Sequence, residues 1–236
     1  MMLHFIKQHF DGLLSLAYPE YCSACGNTLF SHEKSICGIC RNSLPKTHFH
    51  TYSDNPASKL FWGKVLIRGA SSYYYFKKGD KVQHLIHQLK YKGEKDVGEI
   101  VGQWYGEELK ESSIFKDVDL ILPVPLHEDK LRKRGFNQSE WFGRGLSRSM
   151  NVKLDNNALE RTRFTETQTR RSVFDRHQNV EEVFRFRKPD QSFRHLLVVD
   201  DVLTTGSTLV GCVQSIRKEI GVEVAISVAT IAIAKK

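Results

Sequence analysis

From position 64 onward the chain alternates two kinds of apolar pattern. Short unbroken or alternating apolar runs predict strands, at GASSYYYFK (69–77), DLILPVP (119–125), HLLVVDD (195–201) and VEVAISVATIAIA (222–234). Between them, apolar residues recur at helical spacing. Val82, Leu85, Ile86 and Leu89 stripe one helix, which Gly93 follows, and 95–110 predict a second. Asn137 offers an N-cap with Glu140 three residues on, opening a helix through about Ser149. Residues 207–221 predict another helix, closed by Gly221, with Cys212 as a small core residue. Strands alternating with helices specify an α/β fold with a mostly parallel sheet.

The first 60 residues read differently. Leu3, Ile6, Phe10, Leu13 and Leu14 recur at helical spacing, which predicts an amphipathic helix laid on the rest of the protein. The segment lacks the basic end, unbroken apolar run and cleavage site of a signal peptide. Nowhere does an apolar run approach the ~20 residues of a membrane span. A cytoplasmic location without stable membrane insertion is the expectation. The polar stretch HTYSDNPASK (50–59) reads as a linker, dividing the chain into 1–60 and 61–236.

Composition agrees with a folded chain, at 40% hydrophobic and 26% charged residues. Charge adds more. The net charge is +8, and residues 126–194, with 16 basic and 10 acidic side chains, carry +6 of it. A positive excess concentrated in one stretch favours a phosphate-bearing partner.

Four of the five cysteines form two pairs, Cys22/Cys25 and Cys37/Cys40, with eleven residues between the pairs. Each CxxC turn aims two thiolates at one point, and two turns supply the four tetrahedral sulfurs that Zn²⁺ prefers. Gly26 suits a knuckle whose N–H groups turn towards the sulfurs. Disulfides or a redox pair are the rival reading, disfavoured because no export pattern and no βα unit accompanies either pair. Four sulfurs leave no open position for water, so the metal would be structural. His84 and His87, three apart and off the apolar stripe, read as surface residues.

The segment LLVVDDVLTTGST (196–208) carries the chemistry. Four apolar residues predict a buried strand, two aspartates follow at its carboxyl end, and a small polar loop enters a helix. Ligands bind open α/β sheets at such ends. The loop from Thr204 to Thr208 can turn backbone N–H groups towards a phosphate at the positive end of the helix. Asp200 and Asp201 are suited to ribose hydroxyls. A phosphorylated ribose satisfies both halves of the site.

This segment resembles the phosphoribosyl pyrophosphate (PRPP) signature of type I phosphoribosyltransferases. Together with PVPLHEDKLRKRGFNQSE (123–140), RTRFTETQTRRSVFDRHQNVEEVF (161–184) and the two-CxxC front end, it resembles the ComF family. These are phosphoribosyltransferase-like proteins associated with competence for DNA uptake. The similarity runs from about Tyr18 to the C-terminus and includes Arg134–Gln138, Gln168, Arg176, Asn179 and Phe184. It implies a type I phosphoribosyltransferase-like sheet flanked by helices, with a small four-cysteine zinc ribbon. Asp200 and Asp201 would bind the ribose 2′- and 3′-hydroxyls, and Thr204, Thr205, Gly206, Ser207 and Thr208 the 5′-phosphate. Val124, Pro125 and Leu126 are placed like the pyrophosphate loop. Gln168, Arg176 and Asn179 would lie in the flexible loop, and Arg176, Asp200 and Asp201 would be catalytic, with Mg²⁺ bridging diphosphate and ribose.

Purine-salvage relatives carry an acid where this chain has Thr204, so purine salvage is not expected. Three functions remain open: transfer of phosphoribosyl to an unidentified acceptor, non-catalytic sensing of PRPP or a nucleotide, and binding of single-stranded DNA or the DNA-uptake machinery. For DNA, Phe136, Trp141, Phe142 and Phe164 are stacking candidates, although Trp141 and Phe142 fit a helix core better. Residues 64–78 are expected to contribute a hood over the acceptor.

Overall fold

The computed structural model describes residues 19–162, 183–190 and 192–234. In chain order its elements are α1 (Gly38–Ser43), α2 (Pro56–Lys59), β1 (Gly69–Phe76), α3 (Lys81–Tyr91), α4 (Lys95–Leu109) and β2 (Leu120–Pro123). Next come α5 (Glu128–Arg134), α6 (Gln138–Met150), β3 (Lys153–Leu154), β4 (Leu159–Arg161) and β5 (Phe184–Phe186). The chain finishes with β6 (His195–Leu203), α7 (Ser207–Glu219) and β7 (Ala225–Ala234). Five strands pair in parallel in the order β1-β7-β6-β2-β3, while β4 and β5 form a separate antiparallel pair. The α/β expectation holds.

Parallel strands need crossovers, and these cover both faces of the sheet, which is why its strands are apolar without alternation. Leu197 and Val199 of β6 and Ile121 of β2 pack with Val82, Leu85 and Leu89 of α3, Val101 of α4 and Phe142 of α6. The intervening Leu196, Val198, Leu120 and Leu122 pack instead with Leu209, Val213 and Ile216 of α7 and with Phe184 and Phe186 of β5. Cys212 is fully buried in this second cluster, as expected.

On the first face α4 and α6 touch backbone to backbone. A Cβ on Gly145 would stand 2.1 Å from the Glu99 carbonyl oxygen, and one on Gly102 would stand 2.3 Å from that of Phe142. This close packing holds the first turn of α6 in place. Asn137 caps the helix, its side chain accepting from the Ser139 N–H at 3.1 Å. The reciprocal contact expected of Glu140 does not form, because its carboxylate accepts from Arg144 and Asn156.

Two expectations change. The stretch 50–59, read as a linker, is folded: Asn55 is 1% exposed, and its amide donates to the carbonyls of Phe49, Tyr52 and Ala70. Its Oδ1 accepts from Ala57 and Ser58, capping α2. Residues 64–78 are not a hood. Their central part is β1, paired with β7 along its length, and the buried Ser72 hydroxyl bonds Thr230 at 2.6 Å. Small hydroxyl residues that are satisfied within a sheet are at home in a buried strand.

Candidate functional site

The front end is built by two knuckles. Gly26 takes a left-handed φ of 75°, and its N–H returns to the Cys22 carbonyl at 2.8 Å. Two N–H groups of the second pair reach sulfur: Cys37 N–H to Cys22 Sγ (3.3 Å) and Cys40 N–H to Cys37 Sγ (3.5 Å). The four Sγ atoms of Cys22, Cys25, Cys37 and Cys40 lie within 4.8 Å of one another, and all are free thiols rather than disulfides.

These sulfurs fit a tetrahedral metal such as Zn²⁺. Zn–S bonds of about 2.3 Å imply a sulfur–sulfur edge of about 3.8 Å, and Cys25 and Cys37 stand 3.8 Å apart. Burial pushes the Cys40 and Cys37 thiols up, whereas Cys22 is brought to about 7 by N–H groups that outweigh its burial. A cation at the centre would favour the thiolate in all four.

The ribbon is tied to the sheet domain through helices. Arg41 of α1 stacks over Trp104 of α4 at 5.0 Å. His84 Nδ1 on α3 lies 3.3 Å from the carbonyl of Ala24, and its Nε2 lies 2.9 Å from Gln88. His87 stands beside the Tyr91 ring. Both histidines are exposed and belong to no metal-ligating group among the described residues.

The second site lies where the sheet changes direction. After β2 the chain moves outward to β3, and after β6 it moves the other way to β7. Carboxyl ends at such a switch point frame a crevice. β6 extends past its aspartates, contrary to expectation, because the ten-residue β7 keeps pairing as far as Leu203 opposite Ile233. Asp200 and Asp201 therefore sit on a paired strand rather than on a loop. Beside them, the Val124 N–H donates to the Val199 carbonyl at 2.9 Å, and the Asn137 amide donates to the Val124 carbonyl at 3.0 Å. Pro125 and Leu126 continue from there, half-buried.

Beyond β6, Thr204 and Thr205 are exposed and Gly206 turns left-handed at φ 78°. That φ, rather than crowding, is what requires glycine here: an added Cβ would meet only ordinary contacts, the nearest at 3.6 Å. Ser207 and Thr208 open α7, whose first N–H groups have no partner within the helix. The hydroxyls of Thr205 and Ser207 are 3.0 Å apart. Five small residues and a helix N-terminus thus lie one turn from two carboxylates.

Two residues that carried no sequence-based role complete the site. Ser139, in the first turn of α6, donates to Asp200 Oδ1 at 2.8 Å. Lys90, in the last turn of α3, stands 2.9 Å from Asp201 Oδ2. Burial, then the Asp201 charge, raises the Asp200 carboxyl to about 7 against the pull of Ser139, the Asp201 N–H and Lys90. The Cys212 thiol is pushed up by burial and by Asp200. Lys90 had a signal in the sequence: it lies four positions after Ile86, beside the buried stripe, where a lysine needs a partner.

Gln168, Arg176, Asn179 and Phe164 fall outside the described residues, so the flexible-loop assignments have no geometry here. The strands flanking that stretch are paired, Arg161 with Phe184. Of the stacking candidates, Phe136 and Phe142 are buried in the core, and Trp141 packs against it. Phe136 and Phe142 cannot receive a base. Among the described residues no helix is long and apolar enough to cross a membrane.

No family model matches the chain. Its similarity to individual proteins is extensive. The DNA utilization protein YhgH of Escherichia coli K12 is 32% identical over 199 residues, 83% of each chain. Competence protein F of Haemophilus influenzae is 29% identical over 220 residues, 91% of each. Competence protein ComFC of Bacillus subtilis is 23% identical over 199 residues, 77% of each. With four clustered cysteines in front of a parallel sheet, and relatives of this identity along most of its length, the chain belongs to the ComF family.

Proposed function

We propose that the chain binds PRPP with Mg²⁺ at the carboxyl ends of β2 and β6 and transfers its phosphoribosyl group to an acceptor. One observation carries the reading: two adjacent carboxylates stand one short glycine-containing turn ahead of an open helix N-terminus. The N–H groups and hydroxyls of Thr204, Thr205, Gly206, Ser207 and Thr208 would hold the 5′-phosphate. Asp200 and Asp201 would accept from the ribose 2′- and 3′-hydroxyls, the first of which is borne by the carbon next to the reacting one. Val124, Pro125 and Leu126 would border the diphosphate, and Arg176 would supply positive charge to it.

The donor set suits Mg²⁺ borne by the ligand. The four cysteines are the one metal-ligating group of three or more among the described residues, so the aspartates form no closed cage. Mg²⁺ is commonly held by one or two carboxylates together with substrate phosphates and water. When bound, it supplies positive charge to the departing diphosphate. The chain's own part is orientation: the phosphate loop and the aspartates fix the ribose at both ends. Departure of pyrophosphate then leaves an oxocarbenium-like sugar, stabilised by surrounding charge, with no covalent nucleophile required. The four-cysteine site would hold a structural Zn²⁺ that keeps the ribbon folded. Relatives bear the names DNA utilization protein and competence protein, and we place this chain in the same process, DNA uptake.

The test is pyrophosphate release from PRPP and Mg²⁺ against a panel of nucleobases and amines. Release above the protein-free rate with any acceptor supports transfer. No release anywhere, with PRPP binding intact, would reduce the function to sensing.

A second reading, contact with single-stranded DNA, draws on one surface feature. Tyr91 is 58% exposed beneath the Arg134 guanidinium at 5.3 Å, and Lys95 and Arg144 flank the Trp141 ring at 5.6 and 4.7 Å. Cations interleaved with aromatics are the usual equipment for such strands. Binding of an oligonucleotide that weakens steeply with salt and survives Asp200→Asn would support it.

A further inference from the structure

We propose that Lys90 is a positioning residue of the ligand site, orienting Asp201 towards the ribose diol and cancelling its charge before a polyanion arrives. The proposal rests on the PRPP reading above and adds a residue that the motif does not contain.

The ion pair is short, at 2.9 Å, and largely withdrawn from water, the two side chains being 21% and 13% exposed. Pairs in such settings are screened less than exposed ones. A lysine in the last turn of a helix has a plain local reason to be there, because it faces the negative end of the helix dipole. Here the ammonium instead reaches out to a carboxylate on another element. Its helix is held firmly. Asp80 caps the first turn of α3, and Val82, Leu85 and Leu89 are fully buried. Midway along, His84 lies against the Ala24 carbonyl of the ribbon.

Charge gives the pair a purpose. Two ionised aspartates side by side would repel a diphosphate sugar. Asp200 is already held by Ser139 and by the Asp201 N–H, both to the same oxygen. Lys90 acts on the other carboxylate, leaving the two aspartates with one charge compensated and one oxygen fixed. Lys90 lies outside the basic stretch 126–194, so the division of charge along the chain pointed elsewhere.

Calorimetric titration of the full chain with three probes, each with Mg²⁺, separates the roles: PRPP, ribose 5-phosphate and pyrophosphate. Lys90→Met should weaken PRPP and ribose 5-phosphate by about 10- to 100-fold and pyrophosphate by less, about two- to fivefold, because lost charge compensation acts on all three probes and lost orientation only on the two that carry a ribose. Lys90→Arg should restore most of the affinity. In an Asp201→Asn background, Lys90→Met should cost little more, because its target is gone. Unaltered PRPP affinity in Lys90→Met, equal losses for all three probes, or losses that simply add in the double variant would each overturn the proposal. If Lys90→Met does not fold, Lys90→Gln in the same design decides. Wild-type protein that binds none of the probes would instead overturn the PRPP reading itself, and the proposal with it.

Discussion

Asp200→Asn should stabilise the folded chain while removing a ligand group. In the native state burial and the neighbouring Asp201 raise the Asp200 carboxyl from 3.8 to about 7. At about 1.4 kcal/mol per pH unit, that shift is about 4 kcal/mol at face value. Solvent at the half-buried carboxylate reduces it to about 2 kcal/mol. The sign follows from proton binding. Between pH 3.8 and about 7 the folded state binds more protons than the unfolded one, so stability from this group is complete at low pH and falls as pH rises through that window. Asparagine carries no such cost, and its Oδ1 can still accept from Ser139 and from the residue-201 N–H. Urea melts at pH 5.5 and 8 should therefore show the variant more stable, with the larger gap at pH 8. At pH 8 the gain corresponds to a rise in Tm of roughly 4–8 °C. A variant equal to or weaker than wild type at pH 8, or a gap that widens towards acid, would refute the reasoning. The confirmed result would mark Asp200 as a residue kept for function at the expense of stability.

Other consequences are structural. Gly145→Ala gains helix propensity of about 1 kcal/mol yet forces a Cβ to 2.1 Å from the Glu99 carbonyl oxygen. Overpacking should win, destabilising the chain by about 2 kcal/mol net in urea melts; a gain in stability would contradict the close contact of α4 and α6. Freshly purified protein should carry about one zinc per chain by elemental analysis, and Cys40→Ser should lose it. Less than about half an equivalent in wild type would contradict the four-sulfur site. Stripping the metal should also speed amide exchange in α3, since the ribbon touches that helix at His84; unchanged exchange would show that the two are uncoupled.

How far the sequence reached depends on how local each signal was. β6 and α7 were legible because their apolar runs and the small loop between them report on themselves. The aspartates were found for the same reason, yet the strand was expected to end with them: its continuation to Leu203 depends on pairing with β7, which the segment cannot reveal. The cysteine pairs gave the metal site by spacing alone. Asn55 defeated the reading because a polar residue in a polar stretch looks like linker, and only the folded chain brings three carbonyls to its amide. Residues 64–78 were misassigned to a hood because nothing in them announces their pairing with β7, whose Thr230 meets Ser72 across 158 positions. Ser139 and Lys90 likewise meet their aspartates across 61 and 111 positions; the helical period sets Lys90 beside the buried stripe but does not say which carboxylate it meets.

A phosphoribosyl ligand held by Asp200, Asp201 and the loop that follows is the central claim. The most direct measurement is a calorimetric titration of PRPP with Mg²⁺ into the wild-type chain and into the Asp200→Asn/Asp201→Asn double variant, with both confirmed folded by thermal melting. Saturable binding to the wild type that falls by at least about tenfold in the variant is the predicted result. Equal binding to both, or none to either, would contradict it.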